Sequence, residues 1–135
     1  MNDVMHFVKR QKLKFFNTYP YPAQVIVYIL GEDEALRRAI PDHPEHDEGV
    51  NGRCCWMKKD GYNIITIGVK RDLSDFMAVA AHECYHAMNA CYNWFGAYHD
   101  NENDEPGAYF LGHLVREFTI CFAELTEEKN NGENS

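Results

Sequence analysis

The sequence predicts an α+β domain in which a small, mostly antiparallel sheet of about three strands packs with two long helices. Three observations support this prediction. Residues 25–30 form a continuous β-branched and apolar run, and an Asp-Gly pair joins two β-rich segments within residues 53–69. Apolar residues then recur at helical spacing over residues 71–92 and again after residue 105.

The composition is that of one folded domain, which we place at residues 1–128 with a polar tail at 129–135. Hydrophobic residues make up 45% of the chain, enough to bury a core. The net charge of −8 argues against non-specific binding to nucleic acid or to an anionic membrane. No apolar run is long enough to span a bilayer, and the first residues lack the pattern of a signal peptide.

The cysteines and the N-terminal segments give further expectations. The five cysteines form no C-x-x-C zinc pattern, so we expect free thiols in a reducing cytoplasm. Residues 4–16 are predicted as a short basic helix, whose lysines and arginines form its solvated side. Residues 19–22 must be extended because of their two prolines, and residues 25–30 are predicted as a buried central strand.

A loop and a hairpin follow a short surface helix predicted at residues 32–40. The loop at 41–49 contains His43 and His46, which could hold a second metal, although a segment with two prolines is a poor preorganised site. The hairpin is predicted from residues 53–57 and 62–69, because Gly accepts the positive φ that the Asp-Gly turn demands.

The main helix is predicted to start at residues 71–75, with Asp72 as its N-cap, and to run to about Tyr92. Its core stripe comprises Leu73, Phe76, Met77, Ala80, Ala81, Cys84, Ala87, Met88 and Cys91. A loop over residues 93–104 must then reverse the chain. The last helix opens at Glu105, capped by Asn103 or Asp104, and continues to about Leu125.

The main helix carries a His-Glu-x-x-His motif at His82, Glu83 and His86. Residues four apart lie on one helix face, so the two imidazoles can hold one ion, and zinc accepts neutral imidazole nitrogen readily. Glu83 lies about 100° round the helix from His82, where it can act on a metal-bound water without ligating the metal. The alternative is two ordinary histidines on one helix face.

Together with the later Glu105, this motif resembles the gluzincin branch of the zincin metallopeptidases, in which a Glu on the next helix is the third zinc ligand. The resemblance covers residues 60–125. The His-Glu-Cys-Tyr-His sequence followed by Glu-x-x-Ala-Tyr-x-x-Gly also resembles small zincin-like proteins of phages and prophages. The resemblance implies a minimal zincin-like fold and a zinc site formed by His82, His86 and Glu105.

Two other residues compete with Glu105 for the third ligand position, namely Asp104 and His99. A three-histidine site would require the spacing His-Glu-x-x-His-x-x-Gly-x-x-His, and Asn89 stands where that Gly should be. In gluzincins a separate His or Tyr stabilises the tetrahedral intermediate. The candidates for this catalytic role are Tyr109, His113 and Tyr98, each of which can equally be a packed or surface residue.

The resemblance therefore implies zinc-dependent hydrolysis of peptide bonds, with Glu83 as general base and a peptide or protein as substrate. If residues 62–69 form the sheet edge, an extended peptide could pair with them. One alternative is an inactive zincin-like metal-binding module that acts through protein interaction. Another is a cytoplasmic protease specific for one regulatory protein. A third is a small structural or binding factor whose histidines are ordinary. The sequence specifies neither the substrate nor the oligomeric state.

Overall fold

The computed structural model describes residues 3–45 and 49–133, with side chains described as far as residue 127. Four helices and four strands follow one another in the order α1 (Val4–Arg10), β1 (Lys14–Asn17), β2 (Gln24–Ile29), α2 (Glu34–Ala39), β3 (Gly52–Lys59), β4 (Tyr62–Val69), α3 (Phe76–Phe95) and α4 (Glu105–Glu133). The α+β class is thereby confirmed. Within the described residues, no helix is both long and apolar enough to cross a membrane.

The four strands form one mixed sheet in the order β1-β2-β4-β3. The outer pairs, β1 with β2 and β3 with β4, are antiparallel, whereas β2 and β4 run parallel at the centre. The prediction of about three mostly antiparallel strands thus gave one strand too few. It did not include the parallel pairing of β2 with β4. The expectation that residues 62–69 might form an edge was wrong, since β4 lies between β2 and β3.

Helices cover both faces of the sheet, which explains why its central strands are mostly apolar on both sides. Val25, Val27 and Ile29 pack on one face with the residues of α3 and α4. Ile26 and Tyr28 pack on the other face with the residues of α1 and α2. A strand covered on both faces has no polar side, so β2 reads as a continuous apolar run, and its prediction as a buried central strand is confirmed.

The β3–β4 hairpin forms as predicted because its two turn residues adopt positive φ. Lys59 pairs with Tyr62, leaving Asp60 and Gly61 as a two-residue turn with φ of 53° and 83°. The Asp60 carboxylate also accepts a hydrogen bond from the backbone nitrogen of Val4 at 2.7 Å. The turn therefore holds the start of α1 in addition to reversing the chain.

The N-terminal prediction was correct for the first half of residues 4–16 only. Helix α1 ends at Arg10, and Lys12 then adopts a φ of 57°, which redirects the chain into β1. Antiparallel pairing of β1 with the outer edge of β2, across the short connection at residues 18–23, stabilises this segment as a strand. Phe15 and Phe16 also favour a strand, which the helix prediction overlooked.

Helix α3 begins about one turn later than predicted. Asp72 is not its N-cap, because this residue has a φ of 58° and belongs to the turn before the helix. Asp75 occupies the N-cap position without a side-chain capping hydrogen bond, and Gly96 ends the helix in the left-handed conformation. Most of the predicted core stripe is buried or half-buried, but Met77 and Ala81 are exposed. Helix α4 starts at Glu105 as predicted and extends to Glu133.

Candidate metal centre

Helix α3 presents His82 and His86 on the side opposite its buried stripe. Ala80, Cys84 and Ala87 are fully buried against the core, whereas the side chain of His82 is 67% exposed and His86 is also exposed. The i, i+4 spacing places the two imidazoles next to each other on the solvent-facing side of the helix, whose opposite side packs against the core. Neither histidine is therefore needed to fill the core.

The two rings converge on each other through their Nε2 atoms, which lie 3.2 Å apart. The ring centroids are 4.8 Å apart, and the ring planes are inclined by 75°. A tetrahedral zinc with Zn–N bonds of about 2.0–2.1 Å holds two nitrogen ligands about 3.3 Å apart, so this geometry fits two ligands of one ion. The same separation also suits an N–H···N hydrogen bond between neutral rings.

Glu83 lies beneath the imidazoles, with its Oε1 3.9 Å from the Nε2 of His82. The residue is only 7% exposed, which is rare for a carboxyl group without a strong partner. Burial raises the pKa of Glu83, and the nearby His82 and His86 partly oppose that shift. The structure therefore places a nearly buried carboxyl group close to the two imidazoles.

The edge strand β3 packs against the Glu83 side chain at Gly52. A Cβ atom at this glycine would lie 2.6 Å from the Cγ1 of Val79 and 3.0 Å from the Cγ of Glu83. Only glycine therefore allows β3 to approach α3 this closely. The sequence pattern did not identify Gly52 as a site residue, because its role depends on a contact between distant segments.

The third ligand predicted by the resemblance is not brought to the histidine pair. Among the side chains described, those of residues 3–45 and 49–127, no three His, Cys, Asp or Glu form a group that could hold a metal ion. Glu105 is exposed in the first turn of α4 and borders a surface hollow with Tyr109, His113 and Arg116. The ligand role of Glu105 thus remains a prediction.

Of the two alternatives to Glu105, His99 is held by side-chain contacts with other residues, whereas Asp104 is engaged through its backbone carbonyl. The Nε2 of His99 lies 2.8 Å from the Oδ1 of Asn89, one helical turn beyond His86 on α3. The His99 ring also stacks on Tyr85, with centroids 6.0 Å apart and planes inclined by 13°. Asp104 precedes α4, and its carbonyl accepts the backbone N–H of Ala108 at 2.9 Å.

The candidates for oxyanion stabilisation lie in different surroundings. Tyr109 is 76% exposed, and Tyr98 is 79% exposed in the loop before α4. His113 is half-buried, and its Nε2 is buried without a hydrogen-bond partner among the described residues. Their proposed roles rest on the resemblance alone, since no contact between these three residues and His82 or His86 is seen among the described side chains.

His43, one of the two histidines suggested for a second metal site, has a structural role instead. This histidine is 3% exposed, and its Nε2 lies 2.7 Å from the Oγ1 of Thr66 at the centre of β4. Its ring also meets that of Tyr28 edge-on. His46 lies outside the described residues. His43 therefore serves to fasten the loop after α2 to the sheet.

An aromatic cleft of about 580 Å³ lies beyond the histidine pair, and the sequence pattern gave no sign of it. It opens between the second half of α3, the loop over residues 97–104 and the first turns of α4. We use the name aromatic cleft for the space lined by Tyr21, Tyr85, Met88, Tyr92, Tyr98 and Asp104, with nine further residues of the same segments. Its tyrosines come from three separate parts of the chain, so only the fold assembles them.

Comparison of this chain with protein-family models, with curated proteins and with solved structures gives no match.

Proposed function

We propose that this protein is a zinc-dependent peptidase that uses Glu83 as its general base. The observation that carries the proposal is the 3.2 Å separation of the His82 and His86 Nε2 atoms beside a buried carboxyl group. That separation matches two ligands of one tetrahedral ion to within about 0.1 Å. Glu105 is proposed as the third ligand on the strength of the motif spacing.

In this proposal each residue of the motif has a separate task. His82 and His86 hold the ion through their Nε2 atoms, and the bound zinc would supply an acidified water and polarise the peptide carbonyl. Glu83 accepts a proton from the attacking water at its carboxylate and passes that proton to the leaving amine. The close approach of Gly52 keeps water away from the far side of this carboxyl group and fixes its position.

The substrate backbone is proposed to lie along β3. This strand forms one edge of the sheet, and it packs directly against α3 through Gly52. An extended peptide paired with that edge would run past the exposed imidazoles, as strand addition commonly orients a bound peptide. Tyr109 and His113 are retained as proposed stabilisers of the oxyanion.

The test combines metal analysis with peptide turnover on tag-free protein. Wild-type protein is expected to bind one zinc per chain and to cleave members of a mixed peptide library. Glu83→Gln should keep the zinc and lose turnover by about 10²–10⁴-fold, because a general base contributes that much. An active Glu83→Gln protein would refute the role of Glu83 as the base.

The third ligand has its own matched comparison. Glu105→Gln is expected to weaken zinc binding, whereas Glu102→Gln should not, although both glutamates are exposed within one stretch of chain. Equal zinc affinity in wild-type and Glu105→Gln protein would exclude Glu105 as a ligand. The affinity can be followed by competition with a chromogenic chelator.

A second candidate function is a metal-binding module that acts through protein interaction without catalysis. It is favoured by the fact that the described residues bring only two imidazoles together, with no third ligand beside them. Zinc binding without any turnover, in a protein that zinc stabilises against heat, would support this module over the peptidase.

A further inference from the structure

The aromatic cleft lies along the part of α3 that begins at Tyr85, and neither His82 nor His86 is among its lining residues. Tyr85 lines the cleft and directly precedes His86 in the sequence. The ring of Tyr85 stacks on His99, whose own ring lies 4.9 Å from that of Tyr92. These three rings lie next to one another along the cleft, which extends to the first turns of α4.

The cleft combines aromatic faces with negative charge. Among the described residues that line it, Asp100 and Asp104 are acidic and none is a lysine or an arginine. Asp100 is partly occupied, since its Oδ1 accepts the backbone N–H groups of Glu102 and Asn103 at 3.0 and 3.3 Å. The carboxylate of Asp104 makes no hydrogen bond or ion pair with the described residues.

The exposure of the tyrosines points to a ligand. Tyr98 is 79% exposed and Tyr85 is 46% exposed, although both border a concave space. Large aromatic rings left open around a cavity are characteristic of binding sites, where a ligand completes their burial. A guanidinium is the group that best satisfies such surroundings, because it stacks on tyrosine faces and pairs with a carboxylate.

We propose that the aromatic cleft binds an arginine side chain of the peptide substrate and so sets the specificity of the enzyme. This inference rests on the proposed function, because the arginine belongs to a peptide substrate only if the protein is a peptidase. The guanidinium stacks between the tyrosine rings and forms an ion pair with Asp104. The aliphatic part of the arginine side chain then packs on the apolar floor formed by Met88 and Leu111.

The first experiment measures binding to metal-free protein, so that it does not depend on catalysis. The probes are N-acetyl-arginine amide and the neutral isostere N-acetyl-citrulline amide, each titrated into chelator-treated protein and followed by NMR shifts. The arginine probe is expected to bind at least about tenfold more tightly than the citrulline probe, a difference of about 1.4 kcal/mol. Equal binding, or no binding of the arginine probe, would overturn the proposal.

Variants locate the binding to the cleft. Tyr98→Ala and Asp104→Asn should each weaken arginine binding severalfold, whereas Tyr19→Ala should leave it unchanged. Tyr19 is a suitable control because it is 78% exposed, like Tyr98 at 79%, yet does not line the cleft. Unchanged binding in both cleft variants would also overturn the proposal, even if the wild-type protein preferred arginine.

The peptide library distinguishes this inference from the proposed function. Arginine binding by metal-free protein without any zinc-dependent cleavage would support the cleft and refute the peptidase. Cleavage that depends on Glu83 but shows no preference for arginine near the scissile bond would support the peptidase and refute the cleft as its specificity site.

Discussion

Gly52 offers a sharp test of how closely β3 and α3 must approach. The substitution Gly52→Ala places a Cβ atom 2.6 Å from the Cγ1 of Val79 and 3.0 Å from the Cγ of Glu83. Both distances are shorter than an ordinary carbon contact, so strand and helix must move apart or Val79 must change its rotamer. The same movement displaces the Glu83 carboxyl group relative to the imidazoles.

The expected magnitude follows from two opposing effects. Overpacking a fitted contact costs about 1–3 kcal/mol. Replacing glycine by alanine lowers the entropy of the unfolded chain, which returns about 0.4–1 kcal/mol. Taking the middle of each range, the net loss is about 1.3 kcal/mol in the free energy of unfolding, or roughly 3–5 °C in melting temperature for a chain of this length.

The assay is thermal and urea unfolding of Gly52→Ala beside a matched control. Gly112→Ala makes the same chemical change inside α4, where an added Cβ meets nothing within 4 Å among the described residues. That control should gain up to about 1 kcal/mol from helix propensity. If the protein binds zinc as proposed, Gly52→Ala should also lower turnover more than it lowers zinc affinity.

A second substitution identifies the cause of the loss. Val79→Ala removes the Cγ1 atom that the new methyl group would meet, so it should reduce the cost of Gly52→Ala by about 1 kcal/mol in a double-mutant cycle. If Gly52→Ala is as stable as the wild type, or is equally costly in both backgrounds, the reasoning about this contact is refuted.

Three other expectations follow from burial. Burial lowers the pKa of His43, helped by the nearby Arg53 and Arg37, so below about pH 6.5 the unfolded chain binds a proton that the folded chain resists. Stability should fall as the pH drops through this range, more steeply than in His43→Gln; equal slopes would contradict this. Phe118→Ala should lower the free energy of unfolding in urea by about 3–5 kcal/mol, because the ring is fully buried; a loss below about 1 kcal/mol would contradict that packing. Burial raises the pKa of Cys84 to about 12, so an alkylating reagent at pH 8 should label it only after unfolding, and native labelling detected by mass spectrometry would contradict this.

The parts of the fold that were predicted correctly are those set by local chemistry. The run at residues 25–30 is apolar on every side, and Asp60-Gly61 supplies two positive φ angles at a hairpin turn. Errors arose where strand pairing or backbone geometry at a turn decided the outcome. Residues 14–17 become a strand by pairing with β2 across the connection at residues 18–23, and the start of α3 is delayed by the positive φ at Asp72.

The candidate site divides in the same way. His82, Glu83 and His86 lie within a single helix, so their relative placement follows from the helical repeat alone. The position of Glu105 depends instead on how α4 returns along α3, which a local pattern does not specify. The close approach at Gly52 and the tyrosines of the aromatic cleft likewise depend on segments far apart in sequence.

The parallel pairing of β2 with β4 has a consequence for how this molecule assembles. Gln24 faces Ile64 across that pair, so the centre of the sheet cannot form as a local hairpin. The β3–β4 hairpin can form alone and must then capture β2 by closing the long intervening loop, a step whose entropy cost slows folding. Because α3 packs on the completed sheet, we expect the helix that carries both imidazoles to gain its native anchorage late. Pulse-labelling hydrogen exchange would then show protection of the hairpin amides before those of α3.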